Sequence, residues 1–382
     1  MTVDAFAFGL DTAISFGAGR RRDVGRVAAG FGSRAALVTG AHSLAAGPHA
    51  ADLDATLRDA EVEVVVRCQV TTEPELGTVL AAADAFREHG ATVVVAVGGG
   101  SVLDLAKAAA VSANSVLDAE QLAAGPRFDT PVGLPVVALP TTAGSGAEVS
   151  RGAIVTDPDT GRKHGIRGRG VAPRAAIVDP ELAVACPPRV TARAGFDAVA
   201  HAVETTISRA ASPVTRALAL EALPRLLDAV PRAMAQPGDL AARAAAAYGA
   251  LLMGINLANS TTCLPHRMQY PLGSVAHSEH ATGVAALTPA WLDRVLRHAP
   301  ERLATFATGI GSTARDEGEA AQSVAETILS FMERIDLQPR LRDLGIGRED
   351  LPGLASMVEG TLENDPGPTD PDALTALYEA SW

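Results

Sequence analysis

Up to about residue 185, apolar positions fall in short β-branched runs separated by stretches at helical spacing. The runs are AALVTG at 35–40, VEVVVRCQV at 62–70, TVVVAVGGGS at 92–101, PVVALPTT at 135–142 and AAIVDP at 175–180. Near-continuous Val, Ala and Leu suit strands covered on both faces, so these runs predict a parallel sheet with helical crossovers. One crossover helix is plain in EPELGTVLAAADAFREHG, with Pro74 near its start and Gly90 after its end.

After Cys186-Pro187-Pro188 the pattern changes to long Ala/Leu-rich segments at helical spacing, with no convincing strand. PVTRALALEALPRLLDAV and DLAARAAAAYGALLMGINLAN are examples, the second with Gly249 and Gly254 where close packing is expected; 317–336 and 371–382 predict further helices. Small-residue faces let helices approach closely, which predicts a helical bundle. The expected division is an α/β domain over 1–186 and an all-helical domain over 187–382. ENDPGPTDPD at 363–372 is expected to be a loop, and Met253, Met268 and Trp291 to be packing residues.

Length agrees, since 382 residues exceed one compact core and point to about two domains. A hydrophobic content of 47% with 4% aromatics describes an Ala/Val/Leu-packed globular chain. The net charge of −12 and the lack of a basic stripe argue against nucleic acid as a partner. The N-terminus carries an early acid and no basic segment before an apolar run, so no signal peptide is read. No window holds roughly 18 uninterrupted apolar residues, so no membrane partner is expected and the cytoplasm is the expected compartment. Cys68, Cys186 and Cys263 are odd in number and widely spaced, which fits buried free thiols better than disulfides.

Two loops carry candidate binding chemistry. VVVAVGGGSVLDLAK ends a buried strand in Gly98-Gly99-Gly100-Ser101 and passes directly into a helix through Asp104 and Lys107. Consecutive glycines let backbone amides approach a diphosphate at a helix N-terminus, although the same glycines also suit a tight turn with no ligand. In ALPTTAGSGAEVS, Thr141, Thr142 and Ser145 offer hydroxyls either to a nucleotide or to their own backbone. Two such loops at strand carboxyl ends mark the place where open α/β sheets bind ligands.

A second constellation lies in the helical half. In GFDAVAHAVE, Asp197 and His201 stand four residues apart, one helical turn on one face. In LPHRMQYPLGSVAHSEH, His266 and His280 bracket a Pro-Leu-Gly turn and are placed to close on that face. One carboxylate and three imidazoles suit Fe(II) or Zn(II), whereas calcium would want more oxygens.

With these motifs in hand, the chain resembles the iron-containing (group III) alcohol dehydrogenase family. The likeness runs nearly end to end, through FGAGRRRDVGRVAAGFG, GGGSVLDLAK, LPTTAGSGAEVS, TDPDTGRKHGI, AIVDPEL, GFDAVAHAVE, HRMQYPLGSVAHSEH and ALYEASW. The resemblance implies an N-terminal Rossmann-like dinucleotide-binding domain and a C-terminal helical bundle, the fold shared with dehydroquinate synthase, with metal and substrate in a cleft. It places the metal ligands on Asp197, His201, His266 and His280, the diphosphate loop on Gly98, Gly99, Gly100 and Ser101, and the hydroxyl loop on Thr141, Thr142 and Ser145; Asp104, just after the glycines, is also expected to bind the cofactor. It also places Lys163 near the cofactor, and a homodimer is the expected assembly.

Departures from the family pattern carry information of their own. Where many members have a second histidine four residues after the third ligand, this chain has Tyr270, a poorer proton exchanger at neutral pH; His277 is the other candidate for proton relay. Where many NAD-using members read VTD, this chain reads VTG with Gly40, so NADP(H) is expected to be used, alone or alongside NAD(H), with His42 and Ser43 near its phosphate. Arg167 and Arg169, with Arg151 and Arg267, either form a pocket for an anionic substrate or are exposed arginines that aid solubility. The implied activity is metal-assisted, NAD(P)-linked interconversion of alcohols with aldehydes or ketones. Alternatives are reduction of an acidic carbonyl compound of the maleylacetate or phosphonoacetaldehyde type, a lyase of the dehydroquinate synthase type, and a non-catalytic nucleotide-binding module.

Overall fold

The five β-branched runs become strands of one parallel sheet in the computed structural model, which describes residues 5–41, 49–71 and 73–382. They are β2 (Arg34–Gly40), β3 (Glu63–Val70), β4 (Val93–Gly98), β5 (Val136–Pro140) and β8 (Ala175–Val178). Three further strands were not apparent as apolar runs: β1 (Ala13–Phe16), which pairs in parallel with β8, and an antiparallel hairpin of β6 (Gly152–Thr156) and β7 (Lys163–Arg167). Sheet order is β1-β8-β5-β4-β2-β3.

Alternate residues of each central strand serve two separate cores, as a sheet covered on both faces demands. Helices α1 (Val24–Ala29) and α2 (His49–Asp59) cover Ala35, Leu37, Val93, Val95, Val97 and Val137. The opposite face, with Ala36, Val38, Val94, Ala96 and Ala138, lies under α3 (Leu76–Glu88), α4 (Gly100–Ser115) and the short α5 (Ala119–Ala123). Gly90 follows α3 with φ +61°, a left-handed position where glycine is free of strain.

The remaining helices are α6 (Pro188–Ile207), α7 (Pro213–Ala235), α8 (Leu240–Leu257), α9 (Leu264–Ala276), α10 (His280–His298), α11 (Pro300–Ala304), α12 (Glu317–Arg334), α13 (Leu351–Ser356) and α14 (Pro371–Ser381). The described chain forms two compact units. One is Gly9–Pro187 with Gln236–Ile255; the other is residues 5–8, Pro188–Ala235 and Asn256–Trp382. A single division after residue 186 therefore misses α8, most of which groups with the sheet. The reason is a gap in the helical layer: Ala176 and Val178 of β8 need a cover, and Ala247 and Leu251 supply it. By composition alone α8 is apolar and long enough to cross a membrane, and more than half of it is buried in the fold instead. Its Gly254 lies against Gly146, where an added Cβ would stand 2.6 Å from the Gly146 carbonyl oxygen.

In the helical unit, the 363–372 loop is organised by Asp365, which is 1% exposed. Its carboxylate accepts from Trp291 Nε1 at 2.7 Å, Arg294 Nε at 3.2 Å and the Leu264 N–H at 3.3 Å, so Trp291 is a hydrogen-bond donor as well as a packing residue. Together these tie α10 to the start of α9. Tyr378 on α14 donates to the Met268 carbonyl at 2.6 Å and braces α9 from the other side. Of the three cysteines only Cys263 is buried; Cys68 and Cys186 are partly exposed, so uniform burial of the thiols does not hold.

Candidate metal centre and dinucleotide loops

Asp197 and His201 lie on α6, a helix buried on almost every side from Thr191 to Ile207. His266 sits in the first turn of α9, and His280 opens α10. The helical unit brings all four together around one carboxylate oxygen. Asp197 Oδ1 stands 3.3 Å from His266 Nε2, 3.5 Å from His280 Nε2 and 3.6 Å from His201 Nε2. Ligand atoms bound tetrahedrally at about 2.0–2.1 Å from a shared ion stand roughly 3.3–3.4 Å from each other. Asp197, His201 and His266 also satisfy mutual closeness, with ligand atoms all within 4.8 Å of one another. His280 joins through Asp197 and is the most exposed of the four, at 32% of its side chain.

Three imidazoles are packed together here, His201 stacked on His266 with centroids 4.6 Å apart and His280 tilted at 5.2 Å from His266. Their electrostatics follow from burial and from the carboxylates. Burial alone would raise the Asp197 carboxyl, but His201, His266 and His280 hold it well below the usual carboxylate range. His201 is lowered to about 4 by burial, which outweighs Asp197, so its imidazole is neutral at pH 7. Burial opposes charge on His266 as well, yet Glu204 and Asp197 push it up to about 10. A buried anion facing three imidazole nitrogens, with His201 Nδ1 left without a hydrogen-bond partner among the described residues, is a donor set that fits a divalent transition ion, which would take the place of the extra proton on His266.

Two residues that the spacing did not single out support this set. Glu204, one turn beyond His201, has an oxygen 2.6 Å from His266 Nδ1, and its other oxygen accepts the Cys263 N–H at 2.8 Å. Gln269 Oε1 lies 2.8 Å from His280 Nδ1. The signal for Glu204 was present, since Asp197, His201 and Glu204 share one helical face. An ion pair between Arg193 and Glu279 further fastens α6 to the residue before His280.

Tyr270 is half-buried on α9, one turn after His266. His277 ends α9 in a left-handed conformation with φ +49° and is exposed; none of the four clustered residues bonds to it.

In the α/β unit, the glycine and hydroxyl loops lie side by side. Gly98 ends β4 in register with Pro140 of β5, and the Thr141 N–H donates to the Gly98 carbonyl at 3.0 Å. Gly99 caps α4, and a Cβ there would touch Thr142 Oγ1 at 3.4 Å; one on Gly100 would stand 3.0 Å from Ser145 Oγ. Ser101 follows in the first turn of α4. The strand order also places this loop well. β3 is added on one side of β2 and β4 on the other, all in parallel, so Gly40 and Gly98 end neighbouring strands at the switch point where open α/β sheets bind nucleotides. His42 and Ser43 lie outside the described residues.

Other expected residues have partners within the fold. Asp104 accepts the Ile154 N–H at 3.0 Å and pairs with the fully buried Lys107 at 3.1 Å, so it anchors β6 under the loop. Lys163 pairs with Glu73 at 2.7 Å and is 7% exposed, neither solvated nor free. Arg151 and Arg169 both pair with Asp11, at 2.6 and 2.8 Å, Arg167 is exposed, and Arg267 belongs to the other unit, donating to Thr261 at 2.7 Å.

Comparison with known proteins agrees with this geometry. Residues 11–180 match the model of the iron-containing alcohol dehydrogenase family, and 191–382 match the model of its C-terminal region. A choline dehydrogenase of Bacillus subtilis (strain 168) is 33% identical over 345 residues, covering 89% of this chain and 85% of that protein. The structure of an archaeal alcohol dehydrogenase from a Red Sea brine pool superposes with a TM-score of 0.92, at 26% identity over 100% of both chains. That of a sulfoacetaldehyde reductase from Bifidobacterium kashiwanohense, solved with NAD+, gives a TM-score of 0.85 at 26% identity, covering 99% of this chain and 98% of that one. With a parallel sheet, a helical unit and an Asp/His cluster in one chain, this protein belongs to the iron-containing alcohol dehydrogenase family and is an oxidoreductase acting on alcohols and aldehydes.

Proposed function

We propose that the protein interconverts a small, uncharged alcohol with its aldehyde or ketone, using Fe(II) or Zn(II) and a nicotinamide dinucleotide. The observation that carries the reading is the set of three imidazole nitrogens at 3.3–3.6 Å from one oxygen of Asp197. When bound, the metal supplies Lewis acidity at the substrate oxygen, and the nicotinamide supplies or accepts the hydride. Asp197, His201, His266 and His280 hold the metal. The backbone amides after Gly98 and the N-terminus of α4 bind the diphosphate, and Thr142 and Ser145 offer hydroxyls from the adjoining loop.

Gly40 leaves the end of β2 without a carboxylate to repel a 2′-phosphate, which supports use of NADP(H) alongside NAD(H). Tyr270, on the face of α9 that carries His266, is the proposed proton relay; exposed His277 is the second candidate. A neutral substrate is favoured because Arg151 and Arg169 are both already engaged by Asp11.

The test is metal analysis of the purified protein together with NADH- and NADPH-dependent reduction of a panel of neutral and acidic aldehydes and ketones. The reading predicts about one ion per chain and loss of nicotinamide absorbance with neutral substrates. A lyase of the related architecture would leave absorbance unchanged over turnover, and a non-catalytic module would bind dinucleotide without turnover.

A further inference from the structure

Two of the clustered imidazoles are backed by different groups, a carboxylate behind His266 and an amide behind His280, and among the described residues nothing is bonded behind His201. We propose that Glu204 and Gln269 are positioning residues for the metal, with Glu204 the dominant one. The inference rests on the metal reading above and extends it to groups that touch no ion.

The argument starts from the imidazole itself. A neutral ring has one N–H and one lone pair, and the partner of one nitrogen decides which atom carries which. An ionised carboxylate only accepts, so Glu204 at 2.6 Å fixes the proton on His266 Nδ1 and leaves Nε2, the atom facing Asp197, to a metal. Gln269 does the same for His280 through its carbonyl oxygen, and as a neutral acceptor it polarises the ring less.

Charge balance points the same way. Glu204 is 1% exposed and Asp197 is 6% exposed, and among the described residues neither pairs with an arginine or lysine. Two buried carboxylates with only imidazoles around them carry a charge that a divalent cation would neutralise. A purely architectural role for Glu204 would be met by its bond to the Cys263 N–H, which an amide oxygen serves equally well. The second oxygen, on His266, is the one that calls for a full negative charge.

The test measures metal affinity by chelator competition, using Co(II) so that the ligand field is visible in the absorption spectrum. Wild type, Glu204→Gln, Glu204→Ala, Gln269→Leu and Asp197→Ala are compared. Loss of Glu204 in the alanine variant should weaken binding about 10–100-fold, the glutamine variant should fall between it and wild type, and Gln269→Leu should cost less than Glu204→Ala. The Co(II) bands should shift in Glu204→Gln, and its affinity should fall by more than any drop in its metal-free stability accounts for, which a merely structural role would not produce. Affinities within twofold of wild type in both Glu204 variants, with Asp197→Ala losing the ion, overturn the inference and leave the metal reading standing. Uptake of no ion by wild type overturns both.

Discussion

Replacing Glu148 with Gln should stabilise the protein above pH 7 and leave it almost unchanged near pH 4.5. Glu148 sits in the hydroxyl loop with 4% of its surface exposed. Burial pushes its carboxyl up to about 7 from the usual 4.5, against the pull of Lys107. The native state therefore holds this proton more tightly than the unfolded chain does. Stability from the protonated group is complete below about pH 4.5, drains away as pH rises, and is gone above about pH 7. At 1.36 kcal/mol per pH unit, the interval from 4.5 to 7 is worth about 3 kcal/mol. Glutamine is neutral throughout, so the difference between variant and wild type isolates this one group while every other titration cancels. Urea denaturation of both proteins at pH 5, 6, 7 and 8 should show the gap widening from just under 1 to about 3 kcal/mol. Parallel stability curves across that range would refute the reasoning.

Other sites yield sharper local tests. Gly254→Ala places a methyl 2.6 Å from the Gly146 oxygen and 2.6 Å from Val149 Cγ2, and should cost about 1–3 kcal/mol, read as a lower unfolding temperature. Trp291→Phe removes the donor held 2.7 Å from the buried Asp365 carboxylate; a loss of roughly 1.5–3 kcal/mol in chemical denaturation is expected, and a neutral result would deny Asp365 its organising role. Asp11→Ala removes the carboxylate shared by Arg151 and Arg169, but Arg151 still donates to the Gly9 carbonyl at 2.9 Å and Arg169 is 64% exposed, so the cost should stay near 1 kcal/mol, read by chemical denaturation. Dialysis against a chelator should lower the unfolding temperature and added Zn(II) should restore it, with about 2.7 kcal/mol expected when free ion is 100 times its dissociation constant.

Much of the site was readable from local spacing because its ligands obey helical geometry. Asp197 and His201 are one turn apart on α6, and no folding detail is needed to put them on one face. The glycine run after β4 was equally plain, since it marks where a fully buried strand must turn directly into a helix. Features that depend on a distant partner were not readable. The β1 strand is four residues long and only partly buried, so its apolar signal is weak, and β6 alternates too briefly to stand out from a loop. Nothing in the order of residues shows that Asp11 will claim two arginines from more than 130 positions away.

Periodicity states which side of an element must be hidden, and that is why the amino-acid order alone settled the alternation of strands and helices, the helical character of the second half and the pairing of candidate ligands within each segment. What covers each hidden side is a property of long-range packing. Only the folded chain could assign α8 to the sheet, because β8 leaves apolar side chains that a nearby small-residue helix can bury. Only there do Glu204 and Gln269 meet the far nitrogens of two imidazoles, since α6, α9 and α10 must first converge before a hydrogen bond of 2.6 or 2.8 Å can exist.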